Sequence, residues 1–199
     1  MARSAAEIRK ALDREVAHIR GLRDLSDDGK RRRIAAAYVK ANDEMGQAKR
    51  ETKAERETRV DELRRKLFGN PTAGDPASAI NFRDALERAE GVKTAQQAAR
   101  LLQRAHETGD EALGKAVAMR VFEHAPMGGA WGALMTEWAE LNGRTEALGD
   151  LAELTTSSPM AGLHRSWEHK LAVPSELGSG AHAREWAAEA DADGSDDAA

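Results

Sequence analysis

Apolar positions recur along this chain at intervals of three and four, the spacing of one face of an α-helix. The first run is Ala5, Ile8, Leu12, Val16, Ile19 and Leu22. Next comes Asp24-Leu25-Ser26-Asp27-Asp28-Gly29. There Ser26 or Asp27 can cap a second helix, and the acids sit where a helix N-terminus favours negative charge. That second helix is predicted to continue to about Phe68, because the stretch has no proline and only Gly46 after its start. Its apolar positions cluster at the two ends: Ile34, Ala37, Tyr38, Ala41 and Met45, then Val60, Leu63, Leu67 and Phe68. Gln47 to Arg59 is almost wholly polar. Glu55/Arg59, Asp61/Arg65 and Glu62/Lys66 can form favourable pairs one turn apart. The pattern predicts a charged, coiled-coil-like helical hairpin over 1–69 with a solvated middle.

Phe68-Gly69-Asn70-Pro71-Thr72-Ala73-Gly74-Asp75-Pro76 is the strongest break in the chain, since Gly69 can end a helix and Pro71 and Pro76 prevent its continuation. It places a linker at 70–76. Beyond it, helices are expected at 77–90, 94–108, 111–124, 129–141, 145–155 and 160–171. They are separated by Gly91, Thr108-Gly109-Asp110, Pro126-Met127-Gly128-Gly129, Asn142-Gly143 and Ser157-Ser158-Pro159. Helices this short and this closely spaced suit a small array of antiparallel helix pairs over 77–172. The fold class is all-α.

Charge divides the chain further. Residues 1–68 carry 19 Lys and Arg against 13 Asp and Glu, whereas residues 69–199 carry 11 against 21. A basic half and an acidic half imply different partners, or parts that attract each other between copies. The stretch 173–199 ends in an Ala-, Asp- and Glu-rich run whose one arginine after Ala181 is Arg184. Such a run buries little apolar surface, and it is expected to be a largely disordered acidic tail. It would act as a solubilising tail, or dock on a basic surface.

The candidate chemistry is sparse. The chain has no cysteine, so thiolate metal sites and disulfides are excluded. His164 and His169 are five apart, a poor spacing for two ligands on one helix, and no phosphate-cradling glycine motif or nucleophile elbow occurs. No catalytic, cofactor-binding or metal residues are assigned, and a non-enzyme is expected. No apolar run approaches the roughly 20 residues that cross a bilayer. The first residues, Met-Ala-Arg-Ser-Ala-Ala-Glu, lack a signal peptide's apolar core. Lys30, Arg31, Arg32 and Arg33 form the densest basic run, either a solvated first helical turn or a phosphate contact. No aromatic residue is interleaved with it, which disfavours stacking on single-stranded bases.

Trp131, Leu134, Trp138, Ala147, Leu151, Leu154 and Pro159 resemble the large, small and proline positions of the tetratricopeptide repeat, with Met135 in place of a small residue. Leu101, Ala105, Ala118, Val121 and Pro126 form a fainter copy, its proline 33 residues before the next. The resemblance implies stacked antiparallel helices rather than an activity. Trp131 and Trp138, seven apart, share a helix face and are read as core, with a peptide-binding surface as the alternative.

The layout as a whole resembles proteins encoded in the structural-gene regions of phages of high-GC Gram-positive bacteria. The residues carrying it are Leu67-Phe68-Gly69, Asn81-Phe82-Arg83-Asp84-Ala85-Leu86-Glu87-Arg88-Ala89, Leu101-Leu102-Gln103-Arg104-Ala105, Thr108-Gly109-Asp110 and Ala116-Val117-Ala118-Met119-Arg120. It implies a noncatalytic role in head or tail assembly, in the host cytoplasm or the virion. Protein partners are expected, with self-association through the N-terminal helices. The alternatives are a tetratricopeptide-like adaptor for a peptide or protein, and a nucleic-acid-binding regulator using Lys30 to Arg33.

Overall fold

Ser4 starts the first helix: its hydroxyl accepts the Glu7 N–H at 3.3 Å, and the Glu7 carboxylate accepts the Ser4 N–H at 2.8 Å. This reciprocal cap satisfies two otherwise orphaned donors. In the computed structural model, which describes residues 3–70, 74–155 and 167–196, every regular element is helical and the fold is all-α. Helix α1 spans Ala5–Gly21 and α2 spans Asp27–Phe68, with the Ser26 hydroxyl accepting the Gly29 N–H. Then come α3 (Pro76–Glu90), α4 (Ala95–Thr108), α5 (Glu111–His124), α6 (Gly129–Leu141), α7 (Thr145–Thr155) and α8 (Ala183–Asp196). Short 3₁₀ turns occupy Ala125–Met127 and Ser175–Leu177. The helices expected from 77 to 155 lie within one residue of their predicted ends. The one expected over 160–171 falls mostly outside the described residues.

The chain divides into two compact units, Met1–Glu55 with Ser157–Ala199, and Arg56–Thr156. The expected boundary at 70–76 is therefore corrected. The changeover falls inside the polar middle of α2, because the helix's two apolar ends belong to different cores. In the first unit, Ile8, Leu12, Val16 and Ile19 of α1 pack with Ile34, Ala35, Ala41, Met45 and Ala48 of α2. Leu177, Ala183 and Ala187 complete that core, with Leu171 and Trp186 at its edge.

The second correction concerns residues 173–199, expected to be a largely disordered tail. Residues 183–196 are helical, and Leu177, Ala183 and Ala187 are buried. Ala183 and Ala187 are one turn apart, and their small side chains let α8 lie close to its neighbours. Charge supplies the rest. Arg32 pairs with Glu189 at 3.2 Å and Arg184 with Asp43 at 2.8 Å, and the Arg31 guanidinium lies 5.7 Å from the centre of the Trp186 ring.

In the second unit α5 is the central helix, with α3, α4 and α6 packed on it. Its Ala116, Val117, Ala118 and Val121 are fully buried. Alanine at two of these positions permits close approach. Leu63, Leu67 and Phe68 of α2, Met135, Trp138 and Ala139 of α6, and Ala147 and Leu151 of α7 close the core. Arg56, in the polar stretch of α2, donates to the Leu154 carbonyl of α7, and Arg144, at the turn before α7, donates to the Lys66 carbonyl at the end of α2.

Candidate functional site

The second unit carries an open groove of about 460 Å³ between α4, the start of α5, and α6. Two tight turns shape it. Gly109, at φ 66°, ends α4, and the Asp110 N–H reaches back to the Ala105 carbonyl at 2.9 Å. A non-glycine residue enters that left-handed region only at a cost. The Asp110 side chain then caps α5 by accepting the Leu113 N–H at 3.0 Å. At the other end, Asn142 donates to the Trp138 carbonyl at 2.8 Å, Gly143 takes φ 63°, and the Arg144 N–H bonds the Ala139 carbonyl at 2.7 Å.

Leu102, Leu134 and Trp138 give the groove an apolar floor, and Leu141 on its rim is 72% exposed. Leu141 is among the few large apolar side chains that stand exposed within the described residues. Lys115 lines the same groove, yet is only 8% exposed. Its ammonium lies 3.0 Å from a Glu111 carboxylate oxygen, and the Arg144 guanidinium approaches that oxygen at 4.0 Å. A nearly buried cation is sustained by this partner, since an unpaired one would pay its full desolvation cost. The groove therefore offers apolar contact along its floor and a charged group at its wall.

The six residues singled out from the sequence fall in different settings. Trp138 is 7% exposed, and its ring stacks on Phe68 with centroids 6.0 Å apart. It is core, with one edge in the groove floor. Trp131 is half-buried against the His124 ring at 4.7 Å. Lys30 to Arg33 belong to the first unit. The Lys30 ammonium donates to the Arg20 carbonyl at 3.2 Å, and Arg31 pairs with Asp28 at 2.9 Å and faces Trp186. Arg32 meets Glu189, while Arg33 is exposed. Within the run, Arg31 and Arg32 are thus paired with the chain's own acidic residues.

Sequence reasoning misses the Lys115–Glu111–Arg144 group and the seat of the C-terminal segment. The one-turn spacing of Glu111 and Lys115 is readable. The burial of Lys115 is not, because it depends on how α4 and α6 flank α5. Among the described residues no group of three or more His, Asp or Glu side chains could hold a metal ion, and no helix is long and apolar enough to cross a membrane. No protein-family model, curated protein or solved structure matches this chain.

Proposed function

We propose that this chain is a noncatalytic structural or assembly protein of a phage particle, working through protein–protein contacts. The observation that carries the contact role is the groove beside α5. Its floor is apolar, Leu141 stands exposed on its rim, and its wall holds a nearly buried lysine. The phage setting rests on the resemblance carried by Asn81 to Ala89, Leu101 to Ala105 and Ala116 to Arg120. A tetratricopeptide-like adaptor is the second reading. The same groove favours it, because a concave helical surface of this size accommodates an extended or helical peptide. Engagement of Arg31 and Arg32 within the chain weighs against a free phosphate-binding run, so the nucleic-acid reading ranks third.

Mass spectrometry of purified particles from the source phage or prophage tests the first reading. Recovery of the chain at a fixed stoichiometry with a head, portal or tail component is expected. Its absence from both particles and assembly intermediates, with a cellular peptide-bearing partner recovered instead, would move the adaptor reading to first place.

A further inference from the structure

The C-terminal segment and its seat form a complementary pair within the first unit. Residues 167–199 carry eight Asp and Glu against two Lys and Arg, while residues 1–55 carry 14 Lys and Arg against ten Asp and Glu. Contacts are spread along α1 and α2, and one ion pair, Arg184 with Asp43, has the opposite polarity. Arg9 donates to the backbone carbonyls of Trp167, Glu168 and Lys170. Arg20 grips Glu176 through two nitrogens, at 2.6 and 2.9 Å. Further along, Arg32 meets Glu189 and Arg31 faces Trp186. Leu177, Ala183 and Ala187 supply the buried apolar contacts.

This attachment is specific but shallow. Its ion pairs lie on side chains that keep contact with solvent: Arg20 and Glu176 at 50% and 27%, and Arg32 and Glu189 at 35% and 55%. Such pairs contribute little individually and are screened by salt. Two of the segment's three buried side chains are alanines, and Leu171 and Trp186 are half-buried against the same core. The seat and its occupant are also distant in sequence, separated by residues 56–156, which make up the other unit. The segment therefore completes the edge of the α1–α2 core from a distant part of the sequence.

We propose that this segment is an exchangeable clasp, and that the α1–α2 seat also accepts the same segment from a second copy of the chain. Reciprocal exchange remakes every one of these contacts, twice per pair of chains, without any new interface. Exchange of an identical element is for that reason a low-cost route to association. The balance is set by concentration against the local concentration of the tethered segment. High local concentration, as in an assembling particle, favours linked copies, and high salt favours release.

Two full-length charge-reversal variants test this. The first carries Arg20→Glu and Arg32→Glu in the seat, and the second carries Glu176→Arg and Glu189→Arg in the segment. Neither can clasp itself, yet each seat matches the other chain's segment. Light scattering after size exclusion should find each variant largely monomeric alone and a one-to-one heterodimer in the mixture, with the heterodimer declining as salt rises. A mixture that remains monomeric while circular dichroism shows both variants helical would overturn the proposal. A second measurement covers a seat variant that fails to fold. A labelled peptide of residues 167–196 is titrated onto the segment variant, whose own seat is unaltered. Saturable binding, at least tenfold weaker when the peptide carries both reversals, is expected. Absence of binding overturns the proposal.

Discussion

Glu176 closes a two-pronged ion pair on Arg20, with its oxygens at 2.6 and 2.9 Å. Hydrogen bonding from that guanidinium is the main reason the Glu176 carboxyl is lowered from its ordinary 4.5 to about 2. Arg20 and the Ser175 hydroxyl are its side-chain partners. A carboxyl whose folded value lies below its unfolded one stabilises the fold fully above the unfolded value. That contribution is lost as pH falls through the folded value. Docking of the C-terminal segment should accordingly weaken between about pH 4.5 and pH 2. Hydrogen exchange across α8 reads this directly, with Glu176→Gln as the control that removes the pair at all pH values. Equal α8 protection at pH 5 and pH 2, or a variant with unaltered pH dependence in that window, would contradict it.

Trp138 of α6 packs against the end of α2, stacked on Phe68. Trp138→Ala should leave a large cavity and cost roughly 3–5 kcal/mol. Thermal melts of the full chain should show a clear drop in the transition of the second unit. A melt equal to wild type would show that Trp138 is not core.

Asp110 both caps α5 and borders the groove. Asp110→Ala removes the acceptor for the Leu113 N–H and should cost about 1 kcal/mol, the usual value of a helix cap. Glu107→Ala, at an exposed position on α4, should fall within about 0.5 kcal/mol of wild type. Denaturant unfolding of the two variants separates these outcomes. Equal midpoints would mean the cap contributes nothing.

Much of the fold is legible in the sequence because its elements are locally encoded. Ser4, Asp75, Thr94 and Asp110 are capping residues whose side chains bond the first-turn amides, and Gly109 and Gly143 mark helix ends. These signals account for most of the helix limits from 76 to 155. The unit boundary is misplaced by the same signals, because Gly69 and the prolines end a helix without ending a core. Leu63, Leu67 and Phe68 pack with α5 and α6, beyond that break. The polar run from Gln47 to Arg59 is the better signal. The C-terminal helix escapes a compositional reading because composition undervalues alanine. Ala183, Trp186 and Ala187 do have helical spacing, but their burial depends on α1 and α2, far away in sequence. Of the candidate site, Trp138 and the turns are visible. The groove is not, since it arises from the packing of α4 and α6 on α5.

The claim that the groove beside α5 is the protein's contact surface is tested most directly by site-specific photocrosslinking during particle assembly. A photoreactive residue replaces Leu141 on the groove rim, and a second chain carries it at Lys93, an exposed position between α3 and α4 outside the groove. Mass spectrometry of the adducts should find a head or tail component joined at position 141 and not at position 93. Adducts of equal yield at both positions, or none with any particle component at position 141, would contradict the account.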